Sequence, residues 1–326
     1  MKRSAQLKQA PPKRTAFDAL AHVTAEISEM LERGVMPWRA PWDHAKALAL
    51  TPGLPLRSTG EPYRGANVML LWAAQIARGY SKRTWLTFRQ AVELGGHVRK
   101  GEKACPVIFY GQAKPKQKNI GDALSDDNGD TARTYRFLKL FYVFNVDQID
   151  ALPERFGAET APAEAAPSAI EQWTARAGVR VRIGGSVACY APVTDIVQMP
   201  AQEAFLSEEH WTATLLHESV HFTGHKSRLD RLDNYAADRK ARAREELCAE
   251  FGAAILGAMV GLAPFHLEDH ASYIASWLKL LREEPRAFLA AGAKAQAAVD
   301  WLVERAGPLP ATGAEDEASD APSLLR

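Results

Sequence analysis

The chain has 326 residues, of which 47% are hydrophobic and 24% charged, and its formal net charge is +1. This composition excludes a disordered or fibrous protein and supplies enough apolar side chains for two folded cores. Its three cysteines, Cys105, Cys189 and Cys248, lie far apart without CxxC spacing, which argues against a disulfide framework and against a cysteine-ligated zinc ribbon.

The near-neutral net charge hides a division between the two halves. Residues 1–150 contain 23 Lys and Arg against 14 Asp and Glu, and the remainder contains 17 against 25. A basic first half is typical of a polyanion-binding module, although an uneven distribution of solvated surface charge gives the same numbers. The basic N-terminus precedes no apolar run, and the longest apolar stretch, residues 251–265, is too short to cross a bilayer. We therefore expect a cytoplasmic protein without signal peptide or membrane anchor.

The first half reads as a mixture of helices and strands. A flexible basic arm is expected over residues 1–15, before the first domain, residues 16–150. Apolar periodicity predicts helices over 17–33, 67–78 and 87–94, and strands over 105–110 and 135–145 on either side of a polar loop, 114–130.

The second half begins after a linker rich in Ala, Pro and Glu, residues 151–168. Its domain, residues 169–306, is predicted to start with a helix over 169–177 and strands over 179–183 and 188–190. Residues 195–200 alternate like an edge strand closed by Pro200. Helices are predicted over 207–223, 236–260, 267–283 and 285–305, before a disordered tail, 307–326. The predicted fold class is α+β, with two domains.

The pentapeptide His217-Glu218-Ser219-Val220-His221 has the form HExxH. On a helix, two histidines four residues apart lie on one face and can bind one cation, and the glutamate between them is a candidate general base. Ser207 is a suitable N-cap and Gly224 a suitable stop, so that the motif falls inside a helix. The pattern indicates a metal-dependent hydrolase, although a chain of this composition shows it by chance about once in a hundred cases.

A catalytic zinc site also needs a third protein ligand. We favour Glu246, with Glu250 one turn later as the carboxylate that orients a ligating histidine through its far ring nitrogen. Glu245 is the second choice for the ligand. His225 is an alternative, but it follows the helix stop. The ordinary alternative is that these glutamates are solvated on the helix surface and that the histidines only interact with the helix dipole.

The ligand set predicts a mechanism. Zn2+ would polarise a bound water, and Glu218 would accept its proton and pass it to a leaving amine. His270 and Tyr273 are spaced for one helix face and are candidates for stabilising the oxyanion, or else they are an ordinary capping histidine and core tyrosine. The segment 195–200 is expected to pair with an extended peptide substrate.

Aromatic and basic residues alternate in the first half. Rings beside cations are what a single-stranded nucleic acid requires, because bases stack on the rings and cations contact the phosphates. Several of these tryptophans fit a hydrophobic core equally well. The candidates are Trp38, Arg39, Trp42, Tyr63, Arg64, Trp85, Arg89, Arg99 and Lys100.

These motifs, in this order, resemble those of the ArdC/TraC-type antirestriction proteins. The similarity extends from about residue 15 to residue 303. The segments that carry it are Tyr63-Arg64-Gly65-Ala66-Asn67, Trp85-Leu86-Thr87-Phe88, Phe144-Asn145-Val146-Asp147, the run from His217 to His225, Arg244-Glu245-Glu246-Leu247 and Asp269-His270-Ala271-Ser272-Tyr273.

The resemblance implies an N-terminal domain that binds single-stranded DNA, with Asn67 added to its candidate contacts, and a C-terminal zincin-like metallopeptidase domain. It also implies protection of incoming mobile-element DNA, with host restriction-enzyme subunits as candidate protein targets. Two other readings stay open: an intracellular zinc peptidase whose first half recognises protein, and a DNA-binding shield whose metal site is not catalytic.

Overall fold

The computed structural model describes residues 24–25, 27–33, 36, 53–113, 135–157, 159, 165–262 and 271–310. Within them the chain forms two α+β units, as the sequence predicted. The elements of the first unit are β1 (Leu56–Arg57), α1 (Ala66–Arg78), β2 (Thr84–Thr87), α2 (Phe88–Glu93), β3 (His97–Val98), β4 (Cys105–Ala113), β5 (Tyr135–Asn145) and β6 (Ile149–Asp150). Residues 27–32 are also helical, in agreement with the helix predicted over 17–33.

The first unit is built on a four-stranded sheet in the order β1-β2-β5-β4. Its long hairpin pairs Cys105 with Val143 at one end and Ala113 with Tyr135 at the other. Because β4 is an edge, its outward backbone groups need other partners. The amide of Asn67 supplies them at Ile108, since Nδ2 donates to the carbonyl and Oδ1 accepts from the N–H, both at 2.8 Å.

The second unit consists of a three-stranded sheet and five helices that pack through apolar side chains. Its elements are α3 (Pro167–Arg176), β7 (Val181–Ile183), β8 (Cys189–Ala191), β9 (Ile196–Met199), α4 (Glu208–Thr223), α5 (Arg239–Met259), α6 (Ala271–Glu283) and α7 (Ala287–Ala306). All predicted helices and strands of this half exist, and the ends that lie in the described residues differ from the prediction by up to three residues. No helix in the described ranges is long and apolar enough to cross a membrane.

The prediction that residues 195–200 form an edge strand is wrong in its position within the sheet. Residues Ile196–Met199 lie in the middle of the sheet, whose order is β7-β9-β8. This strand pairs in parallel with β7 and antiparallel with β8, so both of its edges are occupied. The strand β8 is an edge instead.

Several predicted segments fall outside the described residues. These are the arm 1–15, the loop 114–130, part of the linker 151–168 and most of the tail 307–326. The described linker residues up to Glu159 pack onto the first unit, whereas Ala165 donates its backbone N–H to the carbonyl of Val260 in the second unit at 2.9 Å. Phe156 is buried, and the carboxylate of Glu159 accepts from the backbone N–H of Arg83 and Thr84 at 2.8 and 3.0 Å.

The two units share one hydrophobic cluster. Val68 and Met69 of α1 lie in the same cluster as Phe288 and Ala291 of α7. Two polar contacts seal the junction: Gly65 donates its N–H to Gln296 Oε1 at 2.9 Å, and Arg64 forms an ion pair with Asp300. The N-terminal end of α1 therefore contacts α7.

This junction depends on a glycine in the interior of α7. A Cβ placed on Gly292 would lie 2.4 Å from the backbone nitrogen of Ala66, and helix backbone cannot easily yield. We expect Gly292→Ala to lower the free energy of unfolding by about 1–3 kcal/mol, because overpacking forces the helices apart. Denaturant unfolding measures this.

Gly257→Ala in α5 is the matched control. Its added Cβ would meet its nearest neighbour at an ordinary 3.7 Å, so that only the backbone entropy changes. That control should be neutral or stabilising by up to about 1 kcal/mol. Equal stability of the two variants would show that Gly292 has no packing role.

Candidate metal centre and nucleic-acid surface

The helix α4 carries the HExxH segment as predicted. Ser207 begins it, accepting from the backbone N–H of His210, and Glu208 and Glu209 occupy the first turn, where the helix dipole favours negative charge. The helix is buried on most of its surface from Leu215 onward. The imidazoles therefore project into the protein and not into solvent.

Three predicted residues meet in one buried cluster. His217 Nε2 and His221 Nε2 lie 3.1 Å apart, and Glu246 Oε2 is 3.6 and 3.7 Å from them. Within the described part of the chain, this is the one group of His, Cys, Asp and Glu side chains whose potential ligand atoms all lie within 4.8 Å of one another. Two imidazoles and a carboxylate suit a divalent ion of the zinc type. The donor set thus fits the expected metal.

The alternative ligands lie elsewhere. His225, which is half-buried, shares its Nδ1 with the hydroxyl of Ser227 at 2.7 Å. Glu245 faces the opposite nitrogen of His221, with Oε1 3.3 Å from Nδ1. Cys248 is fully buried and lies outside the cluster. Glu246 is therefore the carboxylate positioned beside both Nε2 atoms.

Two further carboxylates lie on the Nδ1 sides of the two histidines. Glu250 Oε1 lies 3.8 Å from His217 Nδ1, on the ring nitrogen predicted for it. Glu245 occupies the equivalent place behind His221 and is itself held by Arg231, whose Nη2 and Nε donate to its two oxygens at 2.9 and 3.1 Å. A carboxylate hydrogen-bonded to Nδ1 fixes the ring orientation and directs Nε2 toward the cluster, as Glu245 does for His221, whereas Glu250 lies at ion-pair distance from His217.

The charges of this buried cluster are strongly coupled. Burial alone would lower the pKa of His221, but hydrogen bonds to Glu245 and Glu246 outweigh it, and the pKa of His221 lies well above its usual range. Burial likewise opposes ionisation of Glu246, yet both histidines hold the pKa of its carboxyl below the usual range. The cluster is thus built to keep carboxylates ionised inside the protein.

A cavity of about 250 Å³ opens beside the cluster. Its walls include Glu218 from α4 and Ala188, Cys189 and Tyr190 from the β8 edge. Glu218 Oε2 accepts from the backbone N–H of Tyr190 at 2.7 Å. The candidate base is therefore held at the edge strand that borders the cavity.

Tyr235 is a cavity residue that the sequence interpretation missed. Its hydroxyl donates to Glu246 Oε1 at 2.5 Å, and its ring centroid lies 5.9 Å from that of His221. It belongs to the irregular segment before α5, where no periodic pattern marks it. The predicted helpers cannot be compared with it, since His270 and the side chain of Tyr273 lie outside the described residues.

A second missed residue sets the distance between the two helices of the cluster. Gly252 of α5 faces Val220 of α4, and a Cβ on Gly252 would lie 2.7 Å from a Val220 methyl group. The glycine permits a close crossing of α4 and α5, which brings Glu246 to the imidazoles. A glycine inside a long helical pattern was the available signal.

The turn before β9 is tied to α4 by a polar network. Tyr190 donates its hydroxyl to Asp195 Oδ1 at 2.7 Å, and Arg228 forms an ion pair with the same carboxylate. The guanidinium of Arg228 also lies 3.6 Å from the centroid of the Phe222 ring. The network anchors β8, and with it the backbone N–H that Glu218 uses.

Several of the described candidates for DNA contact are buried or already hydrogen-bonded within the protein. Trp85 is fully buried in a cluster with Leu71 and Val143, so it is a core residue and cannot stack on a base, which corrects the sequence interpretation. Tyr63 is half-buried, and Asn67 is occupied by the β4 edge. Trp38, Arg39 and Trp42 lie outside the described residues.

Four of the predicted cations lie in the described residues, where they are exposed, and most of them have acidic partners. Arg64 pairs with Asp300, Arg89 with Glu93, and Arg99 with Glu102 and Asp150. Lys100 is exposed as well. These contacts neutralise part of the predicted basic surface.

Exposed rings lie instead on the β4–β5 hairpin, which the sequence interpretation did not select. Phe109 and Phe141 are 51% and 39% exposed and pack edge to face, with centroids 6.1 Å apart. Lys139 Nζ lies 4.9 Å from the centroid of Phe141. Tyr110 and Tyr142 are exposed on the same two strands. A cation beside solvent-facing rings is the arrangement expected of a single-strand binding surface.

The fold and the His/His/Glu cluster together define a zincin-like domain joined to a second α+β domain. Two family models match the chain accordingly: the N-terminal domain of the anti-restriction factor ArdC over residues 17–144, and a zincin-like metallopeptidase domain over residues 168–294. The chain belongs to the ArdC family of antirestriction proteins.

Relatives and solved structures agree. Uncharacterized protein y4eC of Sinorhizobium fredii is 37% identical, over 88% of this chain and 92% of that protein. The DNA primase TraC of Escherichia coli is 34% identical over 86% of this chain, which spans only 26% of TraC. Crystal structures of the antirestriction protein ArdC from plasmid R388 superimpose with TM-scores of 0.74 (metal-free; 40% identical, 89% of this chain and 98% of that one) and 0.73 (Mn(II)-bound; 39% identical, 90% and 100%).

The network at Asp195 predicts a pH dependence of stability. Burial raises the pKa of Asp195, but hydrogen bonds from Arg228 and Tyr190 prevail and lower it from 3.8 to about 2. Since the folded-state pKa is depressed, the carboxylate stabilises the fold above pH 4, and this contribution is lost as the pH falls through about 2. We expect Asp195→Asn to cost about 1–2 kcal/mol at neutral pH and progressively less below pH 4.

Asp230→Asn is the control for that comparison. Both aspartates have left-handed backbones, with φ of 54° and 50°, which asparagine tolerates. No ion pair to Asp230 occurs among the described residues. Urea unfolding of both variants between pH 7 and 2.5 tests the prediction, and a cost at Asp195 that does not vary with pH would contradict it.

Proposed function

We propose that this chain is an antirestriction protein that binds single-stranded DNA through its first domain and carries a zinc-dependent peptidase site in its second, protecting incoming mobile-element DNA from host restriction. The observation that carries the enzymatic part is the buried cluster of His217, His221 and Glu246 beside a cavity that contains Glu218. Family membership supports the antirestriction role, and the Mn(II)-bound relative supports a divalent metal.

In this proposal His217, His221 and Glu246 hold the ion, while Glu245 and Glu250 fix the imidazole orientations. A divalent ion bound there polarises water and a substrate carbonyl. Glu218, held by the Tyr190 N–H, accepts a proton within the cavity and delivers it to the leaving amine. Tyr235 has a phenol close enough to the cluster to donate to a developing oxyanion. His270 and Tyr273 remain predicted helpers.

The edge strand β8 is the proposed place for a peptide substrate. It borders the cavity, and an extended peptide can pair with the outward backbone groups of this edge that Glu218 does not already occupy. This role was predicted for residues 195–200, whose strand has no free edge. Restriction-enzyme subunits are the proposed protein targets.

The proposed DNA surface is the exposed hairpin. Phe109 and Phe141 offer rings for base stacking, and Lys139 offers a charge for a phosphate. The candidates Trp38, Arg39, Trp42, Tyr63, Arg64, Asn67, Arg89, Arg99 and Lys100 stay as predictions, of which the half-buried and paired ones are less accessible than the hairpin.

The metal ligands are tested by Glu246→Gln. Loss of one charged ligand should weaken zinc binding by more than about 100-fold, because even changes to residues behind the ligands cost 10–100-fold. Competition titration with a zinc chelator and metal analysis of the purified protein measure this. His225→Ala is the control and should bind zinc normally. If its zinc affinity fell as much as that of Glu246→Gln, the assignment of Glu246 as the third ligand would be wrong.

The DNA surface is tested by Phe109→Ala combined with Phe141→Ala. Each stacked base contributes about 1–3 kcal/mol, so we expect at least a tenfold loss of affinity for oligothymidine. Fluorescence anisotropy at several salt concentrations measures it. Leu206→Ala, at a side chain that is 75% exposed in the other domain, is the control. Absence of salt-dependent binding by the unmodified chain would rule out the DNA function itself.

The rival readings are separated by Glu218→Gln. This change removes the base but keeps the shape, so zinc and DNA binding should persist while hydrolysis of a target is abolished. The measurement is survival of incoming unmodified DNA in restricting cells. Loss of protection supports the peptidase mechanism. Full protection would instead favour the DNA shield with a non-catalytic metal.

A further inference from the structure

The cavity beside the metal cluster has a size that limits what can enter it. Its volume of about 250 Å³ lies below the roughly 300–1,000 Å³ that is usual for small-molecule sites. The three candidate ligands and Glu218 all border it. Any group in this space therefore lies beside the atoms assigned to the reaction, together with the water and the main chain of the bond to be cut. The space that remains suits a short side chain.

The rest of the wall carries no formal charge. The other described residues that line the cavity are Ala188, Cys189, Tyr190, Pro192, Leu232 and Tyr235. The carboxylate of Glu218 already accepts from the backbone N–H of Tyr190, and that of Glu246 accepts from the hydroxyl of Tyr235. An ionised substrate side chain would lose its water here without gaining an uncommitted opposite charge, which is unfavourable, whereas burial of an apolar side chain is favourable.

The arginines that follow α4 do not change this balance. Arg228 is paired with Asp195, and Arg231 is paired with Glu245. Neither arginine is among the residues that line the cavity. Their charges are neutralised within the protein and do not select an acidic substrate.

Leu232 has the largest aliphatic side chain of the described wall. It lies between α4 and α5, and a Cβ on Gly224 would be 3.1 Å from its Cδ2 atom, so that it packs against the end of α4. The preceding residue, Arg231, donates to the carbonyl of Val220 and to the hydroxyl of Thr223, both at 2.8 Å. These contacts hold Leu232 at the cavity.

Two exposed valines stand near the two ends of β8, the proposed substrate edge. Val187 is 61% exposed and Val193 is 100% exposed. An extended peptide that pairs along this edge passes both valines, and its side chains gain from apolar contact there. The edge therefore favours a peptide segment with few charges.

We propose that the site accepts a short uncharged side chain, of the size of alanine to valine, next to the scissile bond, and that Leu232 sets the upper limit of its size. This inference rests on the proposed peptidase function, in which one water is added across the peptide C–N bond and leaves a carboxylic acid and an amine. Weakly charged apolar segments are mostly buried in folded proteins, so a target must expose one through a loop or through local unfolding.

The first test uses the full zinc-loaded chain and synthetic peptides that differ at one position, which holds alanine, valine, phenylalanine, lysine or glutamate. Mass spectrometry of the products locates each cut. We expect cuts beside alanine or valine to be about tenfold more frequent than cuts beside the other three, at the low end of what a hydrophobic pocket discriminates. Leu232→Ala enlarges the cavity and should raise cutting beside phenylalanine about tenfold. Leu206→Ala also shortens a leucine, but it lies outside the cavity and should keep the original preference.

The second test measures binding without cleavage. In zinc-loaded Glu218→Gln, fluorescence anisotropy of labelled peptides should give about tenfold tighter binding of the alanine peptide than of the phenylalanine peptide. Ala188→Leu in that background fills the cavity without shortening Leu232, and it should weaken binding of the alanine peptide. This variant keeps the inference testable if Leu232→Ala is unfolded, which thermal unfolding checks.

The outcomes separate the selectivity of the cavity from the peptidase function as a whole. If the chain cuts equally beside all five residues, the selectivity inference is wrong and the peptidase function stands. Equal preferences of Leu232→Ala and Leu206→Ala, together with unchanged binding by Ala188→Leu, would also overturn the inference. The expected order of binding without any cut would support the selectivity and contradict the peptidase function. No binding and no cut of any peptide would end both proposals.

Discussion

The close crossing of α4 and α5 is the contact on which the metal centre depends. Gly252 against Val220 lets the two helices approach, and the carboxylates of one then reach the imidazoles of the other. The cluster is also buried, since His217, His221 and Glu246 are at most 6% exposed. Glutamates and histidines so deeply buried are tolerable only because each has an opposite charge or a hydrogen-bonding group nearby.

Arg231 contributes the positive charge that compensates the buried carboxylate of Glu245. It is largely buried, binds both oxygens of Glu245 and also donates to the carbonyl of Val220, which belongs to the HExxH segment. One side chain thus connects the loop after α4 to both helices. Removing it would leave Glu245 as a buried anion with only His221 beside it, so the orientation of the imidazole and the position of the loop are controlled together.

The local parts of the site were predictable from the sequence, and the tertiary parts were not. Ser207, the HExxH spacing and the turn between Glu246 and Glu250 are properties of single helices, and periodicity reveals them. Tyr235 lies in an irregular segment and reaches Glu246 only through the packing of α5. The centre of the second sheet was misassigned because alternation identifies a strand but does not say whether both of its edges are paired.

The DNA surface shows the same limit. Trp85 and Phe109 both stand beside other apolar residues in the sequence, yet Trp85 is buried and Phe109 faces solvent. Sequence alternation on β4 does not show which residues of the strand the rest of the protein covers. The helical bounds were close to their predictions because caps such as Thr87 and Ser207 mark them directly.

The junction of α1 with α7 also bears on how these domains can be inherited. Because Val68 and Met69 share a cluster with Phe288 and Ala291, a gene fragment that encoded only one half would leave an apolar face uncovered. A protein that carries either domain in this form therefore needs the other domain, or a substitute surface, to cover that face. The TraC primase is much longer than this chain. Its similarity nevertheless covers 86% of this chain and includes both halves.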